Sequence, residues 1–250
     1  MVADDCEAVV PRGMRLLRQR PKQGPAAARN LGARNAAGTW LAFLDDDCVP
    51  DRGWLRGLEA VLEDENVMAG GMVRNALTAN PYATATQAII DYFYSGEPSF
   101  FTSNNLAVDA TRFRSMGGFD STWPLAAAED REFCARWIAF GGCLRYAPHA
   151  EVRHAHDLSR ASFCKQHFRY GRGACWLRRK HPSIPAGTAG AWRYAARRAQ
   201  PALVALAQSA SAAGYLREKL WPTQVAAQLA DGPRHDEDGD HRKDLEKPPA

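Results

Sequence analysis

The sequence predicts an α/β domain, a sheet with helices packed against it, and three observations predict it. Runs of strand length recur at Met14–Gln19, Thr39–Leu44 and Asn66–Asn75. Stretches with helical periodicity stand between and after them, and glycine, proline and aspartate mark the changes from one to the other. The 250 residues are 46% hydrophobic and 24% charged, an ordinary globular balance on a chain long enough for a real core.

Met14–Gln19, "MRLLRQ", reads as a short strand, and Pro25 then suits a first helical turn. Ala26–Ala37 is rich in the best helix former and Gly38 suits its end. Thr39–Leu44, "TWLAFL", is continuously apolar, as a sheet covered on both faces requires. After Asp45, Asp46 and Asp47, a helix capped by Asp51 is predicted to run through Asp64, with Trp54, Leu55, Leu58, Val61 and Leu62 at helical spacing. Asn66–Asn75 reads as a strand containing glycines. Ser99–Asp120 reads as a strand, a short helix and a Gly-Gly turn, and Ala127–Gly142 as a helix stopped by its two glycines. "CLRYAPHAEVRHAH" supplies a last strand and a histidine pair, so the core is expected to end near residue 158.

Residues 159–230 interleave Phe, Tyr and Trp with Arg and Lys and predict amphipathic helices broken at Pro201 and Gly214. Residues 151–230 hold 13 Lys+Arg against 3 Asp+Glu, although the whole chain has a net charge of only +4. That basic block is compatible with a solvated helical face or an anionic membrane surface; no recognised nucleic-acid-binding module appears in it. Residues 231–250 are polar with Pro and Gly, the composition of a disordered tail. The six cysteines form no CxxC pair and no zinc spacing, which predicts free thiols in a reducing, cytoplasmic setting. "MVADDCEAVVPRG" lacks the basic flank and apolar run of a signal peptide, and no apolar run is long enough to span a bilayer.

Three carboxylates in a row at a strand end repel one another where water is scarce, so the candidates are a solvated turn or a bound cation. Asp45, Asp46 and Asp47, then Glu129 and Asp130 at a helix start, then His154 and His156 after the last strand, form one candidate constellation. Hard oxygen ligands with an imidazole suit Mg²⁺ or Mn²⁺, and a separate carboxylate suits proton removal from a hydroxyl. Acids at a helix start are also stabilising without any function.

"GPAAARNLGARNAAGTWLAFLDDDCVPDRGWLRGL", "SNNLAVDATRFRSMGGFD", "AAEDREFCARWIAFGG" and "YAPHAEVRHAH", in that order, resemble family 2 glycosyltransferases over about residues 14 to 158. The resemblance implies a GT-A type, Rossmann-like mixed sheet flanked by helices, N-terminally truncated and followed by a C-terminal helical extension. The implied domains are 1–158 (glycosyltransferase, incomplete at its start), 159–230 (helical extension) and 231–250 (tail). It implies a nucleoside-diphosphate sugar donor, inversion at the anomeric carbon, Mg²⁺ or Mn²⁺, and a glycan, lipid-linked or small-molecule acceptor, with work at the inner face of the membrane as an option. Carried onto this chain, Arg29, Asp45 and Asp46 face the nucleotide, Asp47 and His154 the metal, and Asp130 is the base. Asn105, Gly118 and Glu129 fall to the acceptor.

Such proteins begin with a strand, a helix and a second strand ending in acids, and nothing in "MVADDCEAVVPRG" restores the first strand. A non-catalytic remnant of the fold is therefore one alternative. A nucleotidyltransferase on a related fold is the other.

Overall fold

The computed structural model describes residues 1–94, 98–122, 126–183 and 189–223. The predicted tail, and Trp123 and Pro124, lie outside them. A mixed five-stranded sheet forms the centre, built from β3 (Trp40–Leu44), β4 (Cys48–Pro50), β5 (Val67–Asn75), β6 (Asn105–Asp109) and β7 (Cys143–His154) in the order β3-β6-β5-β7-β4. Only the β5–β7 pair is parallel; the other three are antiparallel.

Helix α1 (Pro25–Asn35) precedes β3, and α2 (Trp54–Glu59), α3 (Pro81–Tyr94), α4 (Ala110–Ser115) and α5 (Glu129–Ala139) follow along the chain. The main apolar cluster joins Phe43, Met68, Leu106, Val108, Phe113, Phe119, Phe133 and Trp137. Phe119 and Phe133 are 4.8 Å apart at their ring centres, which locks α5 against the turn after α4.

The N-terminal segment does contribute a strand. β1 (Val2–Asp4) pairs in parallel with β2 (Leu17–Gln19) as a separate two-stranded sheet. The Asp4 carboxylate accepts bonds from the backbone N–H groups of Gln23 and Gly24 at 2.9 and 2.7 Å, fixing the turn that starts α1. The alternation that normally reveals a strand needs more than three residues, so this one left no periodic signal.

Two other expectations change. The helix predicted from Asp51 to Asp64 is limited to Trp54–Glu59, and Asp51 does not cap it: its side chain faces Arg153 at 3.6 Å. Gly214 does not break a helix. It lies inside α8 (Pro201–Leu220), where a Cβ would stand 1.9 Å from the Phe168 carbonyl oxygen of α6 (Arg160–Lys180). A Cβ at Gly171 of α6 would come within 1.8 Å of the Ser211 oxygen of α8. Both glycines therefore serve close backbone approach between α6 and α8.

With α7 (Ala189–Ala196), these helices pack on α3 through Ala85, Leu158, Phe163 and Ala207. Part of the basic block is internal: Arg172 pairs with the fully buried Glu218 at 2.8 Å, and Lys180 with the buried Glu132 at 2.9 Å. Among the described residues no helix is long and apolar enough to cross a membrane.

Candidate functional site

The strand ends and the C-terminal helices enclose a cavity of ≈ 830 Å³. Arg29, Asp45, Asp47, Glu129, Asp130 and His154 all line it. Their meeting follows from pairing register. β4 runs antiparallel to β7 with Cys48 opposite His154, and the Ala155 N–H donates to the Asp47 carbonyl at 2.8 Å. The Asp47 Oδ2 and His154 Nε2 atoms consequently stand 3.0 Å apart, residues 107 positions distant in the chain. His156 stacks on His154 with ring centres 4.9 Å apart.

The hydrogen bond from His154 and the positive potential of the two imidazoles hold the Asp47 carboxyl below the usual carboxylate range, against the opposing effect of burial. Cys48 Sγ lies in the same cluster, all ligand atoms being within 4.8 Å of one another. Burial, with Asp47 and Asp45 beside it, pushes that thiol up to about 12, so it stays protonated. The oxygen and nitrogen donors that remain match a hard or borderline cation such as Mg²⁺ or Mn²⁺.

Arg29 projects from α1 and bridges two carboxylates, donating to Asp45 at 2.7 Å and to Glu129 at 3.2 Å. Burial alone would favour its neutral form, but Asp45 and Glu129 outweigh that and raise its pKa further. Ala128 turns the chain through the left-handed region, φ 71°, and so presents Glu129 and Asp130 at the start of α5. Burial pushes the Asp130 carboxyl up, opposed in part by the Arg131 backbone N–H at 2.8 Å and by the charge of Arg29. Glu129 rises to about 7, from burial and from Asp130, with Arg29 opposing. Burial that raises a carboxyl's affinity for a proton suits it to act as a general base.

This predicts a pH signature. The ordinary Glu129 value is 4.5 and the folded one about 7, so between those limits the folded chain holds a proton that the unfolded chain has lost. Stability falls as pH rises through that window, and the penalty is fully present above it. In denaturant titrations at pH 4.5 and 7.5, wild type should lose on the order of 2 kcal/mol more than Glu129→Gln. Parallel pH dependences in the two proteins would contradict the shift.

The structure separates three of the sequence candidates from the cavity. Asp46 is exposed and does not line it, whereas Asp45 and Asp47 on either side do. Asn105 is fully buried: its amide donates to the Met72 and Ala150 carbonyls at 2.9 and 2.8 Å and accepts from the Trp54 indole at 2.8 Å. It ties β6 to β5 and β7 at the bulge between Gly71 and Met72, and Asn104 takes the place on the cavity wall. Gly118 is a turn residue with φ 70°, and a Cβ there would stand 2.4 Å from Asn30 Oδ1.

Because leaving each of these three partners unpaired costs about 1–3 kcal/mol, Asn105→Ala should lower unfolding free energy by at least about 3 kcal/mol in urea. Unchanged stability with lost acceptor affinity would restore the binding role. Sequence reasoning missed Asp4, which orders the start of α1, and Arg131, which lines the cavity from α5. It also missed α3, whose Ile89, Ile90 and Phe93 form cavity wall. The aromatic–basic segment of α6 places Tyr170 and Gly171 on the opposite wall.

Comparison with known proteins agrees with this architecture. Residues 3–121 match the family model Glycosyl transferase family 2. The chain is 33% identical over 187 residues to the pre-mycofactocin glycosyltransferase of Mycobacterium tuberculosis, an alignment covering 68% of this chain and 39% of that protein. It is 24% identical over 168 residues to polypeptide N-acetylgalactosaminyltransferase 3 of Drosophila melanogaster, covering 56% of this chain and 25% of that one. The chain thus spans less than half the length of either relative. Among solved structures, the mannosyltransferase PcManGT of Pyrobaculum calidifontis, in complex with GDP-Man and Mn²⁺, is similar in fold. Its TM-score is 0.52 at 18% identity, over 87% of this chain and 61% of that one. Residues 3–121 thus carry the match to family 2 glycosyltransferases, and the relatives and the shared GT-A fold support it.

Proposed function

We propose that this chain transfers a sugar from a nucleoside-diphosphate sugar to an acceptor hydroxyl, with inversion and with help from a divalent cation. The observation that carries this reading is the convergence, on one cavity, of the enclosed Asp130 carboxylate with the Asp47–His154 donor pair. Asp47 and His154 would hold Mg²⁺ or Mn²⁺, which would supply positive charge to offset that on the leaving diphosphate. Arg29 holds the Asp45 carboxylate in position, and Asp45 receives the ribose.

Asp130 removes the proton of the acceptor hydroxyl while its oxygen forms the new bond to the anomeric carbon. The bond to the diphosphate oxygen breaks on the opposite face, and its electron pair leaves with the nucleotide. Opposite faces mean inversion, so the carboxylate that takes the proton need not form a covalent sugar intermediate. The exposed Arg160, Lys165 and Arg169 of α6 support work beside an anionic membrane surface on the cytoplasmic side.

The test is product analysis. The chain is incubated with UDP- and GDP-sugars and Mn²⁺, and the released nucleotide is identified by mass. Free nucleoside diphosphate, dependent on the metal, is the expected result. Pyrophosphate would assign the chain to nucleotidyl transfer, and no release from any donor would assign it to the non-catalytic alternative.

A further inference from the structure

The cavity has two chemically different halves. Toward the strand ends it is carboxylate, imidazole and the paired Arg29; toward the helices it is walled by apolar groups that include Ile90, Phe93, Phe100, Leu177, Trp192 and Leu216. Nucleotide, diphosphate and metal need the first half. The second half suits an apolar body.

One charge in the apolar half is unmatched. The half-buried Arg131 lines the cavity with its guanidinium carbon 4.9 Å from the centre of the Phe100 ring and 5.7 Å from that of Phe93. The buried or part-buried Arg29, Arg136 and Arg172 each hold a carboxylate within 3 Å. Arg131 has no ion pair within 4 Å and no acceptor for its guanidinium among the described residues, and burial lowers its pKa. Stacking on two aromatic rings fixes the guanidinium in place without satisfying its five donors. Arg178, exposed on α6, adds a second positive charge to the same cavity wall.

We propose that the helical half of the cavity binds an acceptor that carries, besides its reacting hydroxyl, an apolar body and an anionic group held by Arg131. The anion is a carboxylate or a phosphate monoester, both of which match a guanidinium fork. This rests on the transfer reading above, since Asp130, the adjacent residue of α5, is what meets the acceptor hydroxyl.

The experiment uses the full chain and three probes of one size, 3-(4-hydroxyphenyl)propionate, its primary amide and 4-hydroxyphenethyl phosphate, with binding followed by calorimetry. One or both anions should bind at least about tenfold more tightly than the amide, the scale of one charge-assisted bidentate contact. Arg131→Gln should abolish that difference, and Arg131→Lys should restore part of it. The anion that gains more separates the carboxylate from the phosphate source.

Equal affinities in wild type, no binding of any probe, or a preference that survives Arg131→Gln would overturn the proposal. If Arg131→Gln does not fold, the wild-type comparison of acid with amide decides alone. Binding of UDP with Mn²⁺ is measured in the same samples. Its absence in wild type counts against the transfer reading and leaves the anion preference readable. A loss confined to UDP in Arg131→Gln would assign Arg131 to the donor and overturn the proposal.

Discussion

Asp130→Asn is expected to lower the rate of sugar transfer by about 10²–10⁴-fold, the range that a positioned general base supplies. The substitution keeps the shape of the side chain and an oxygen for the Arg131 backbone N–H, which now donates to it at 2.8 Å. What it removes is the ability to take a proton from the acceptor hydroxyl. The loss should appear in kcat, with little change in donor affinity, because the Asp47–His154 pair and Arg29 are left intact. Stability should not fall, since asparagine removes an enclosed carboxyl whose ionisation burial disfavours. A second readout is independent of turnover: the Asp130 charge is one cause of the raised Glu129 value, so Glu129 should titrate closer to its ordinary range in the variant. Transfer within tenfold of wild type would remove Asp130 from the role of base.

Long, strongly patterned elements could be read from the chain. The apolar run Trp40–Leu44 does form β3, but as an edge strand that buries Leu41 and Phe43 on one face and leaves Ala42 and Leu44 exposed on the other, and the α5 positions Phe133 and Trp137 carry an apolar stripe that the core requires. The errors have local causes. Three-residue strands such as β1 and β4 show no alternation, and α2 ends before its predicted apolar residues do because Val61 and Leu62 pack from the turns that follow it. Helix α3 is "PYATATQAIIDYFY", with two threonines and four β-branched residues in all, so its propensity was weak and packing against α7 and α8 decides it.

For the site, motifs gave residue types, and register gave partners. No spacing in the sequence states that β4 pairs with β7 so as to put Asp47 against His154. Nor does it state that the basic residue of "AARN" would span Asp45 and Glu129. Asn105 and Gly118 misled for a physical reason. A polar residue beside the site and a glycine in a turn look alike in sequence whether they face a ligand or satisfy the backbone, and here both stabilise the scaffold. Arg131 gave no signal at all, because an arginine after an acidic pair reads as one more charge on a helix.

Asp47→Ala and Asp46→Asn should then differ sharply although the residues are adjacent. Asp47 lines the cavity with its carboxylate against His154, whereas Asp46 is exposed and does not line it. Truncating Asp47 leaves a lone imidazole and a protonated thiol, a donor set too poor in hard oxygen to retain Mg²⁺ or Mn²⁺. Metal-dependent transfer should fall by at least about 10²–10³-fold, the equivalent of the several kcal/mol that a bound cation contributes to the leaving diphosphate. Mn²⁺ binding measured directly by electron paramagnetic resonance should be lost in parallel. Folding is not the route of the loss: the backbone bond from Ala155 to the Asp47 carbonyl survives, and one part-exposed hydrogen bond to His154 contributes only about 1 kcal/mol. Asp46→Asn should keep both Mn²⁺ binding and transfer within about threefold, as expected for an exposed carboxylate acting only through screened charge. The reverse pattern, Mn²⁺ binding retained in Asp47→Ala and lost in Asp46→Asn, would place the cation on the outer side of the turn and dissolve the link between β4–β7 register and metal binding.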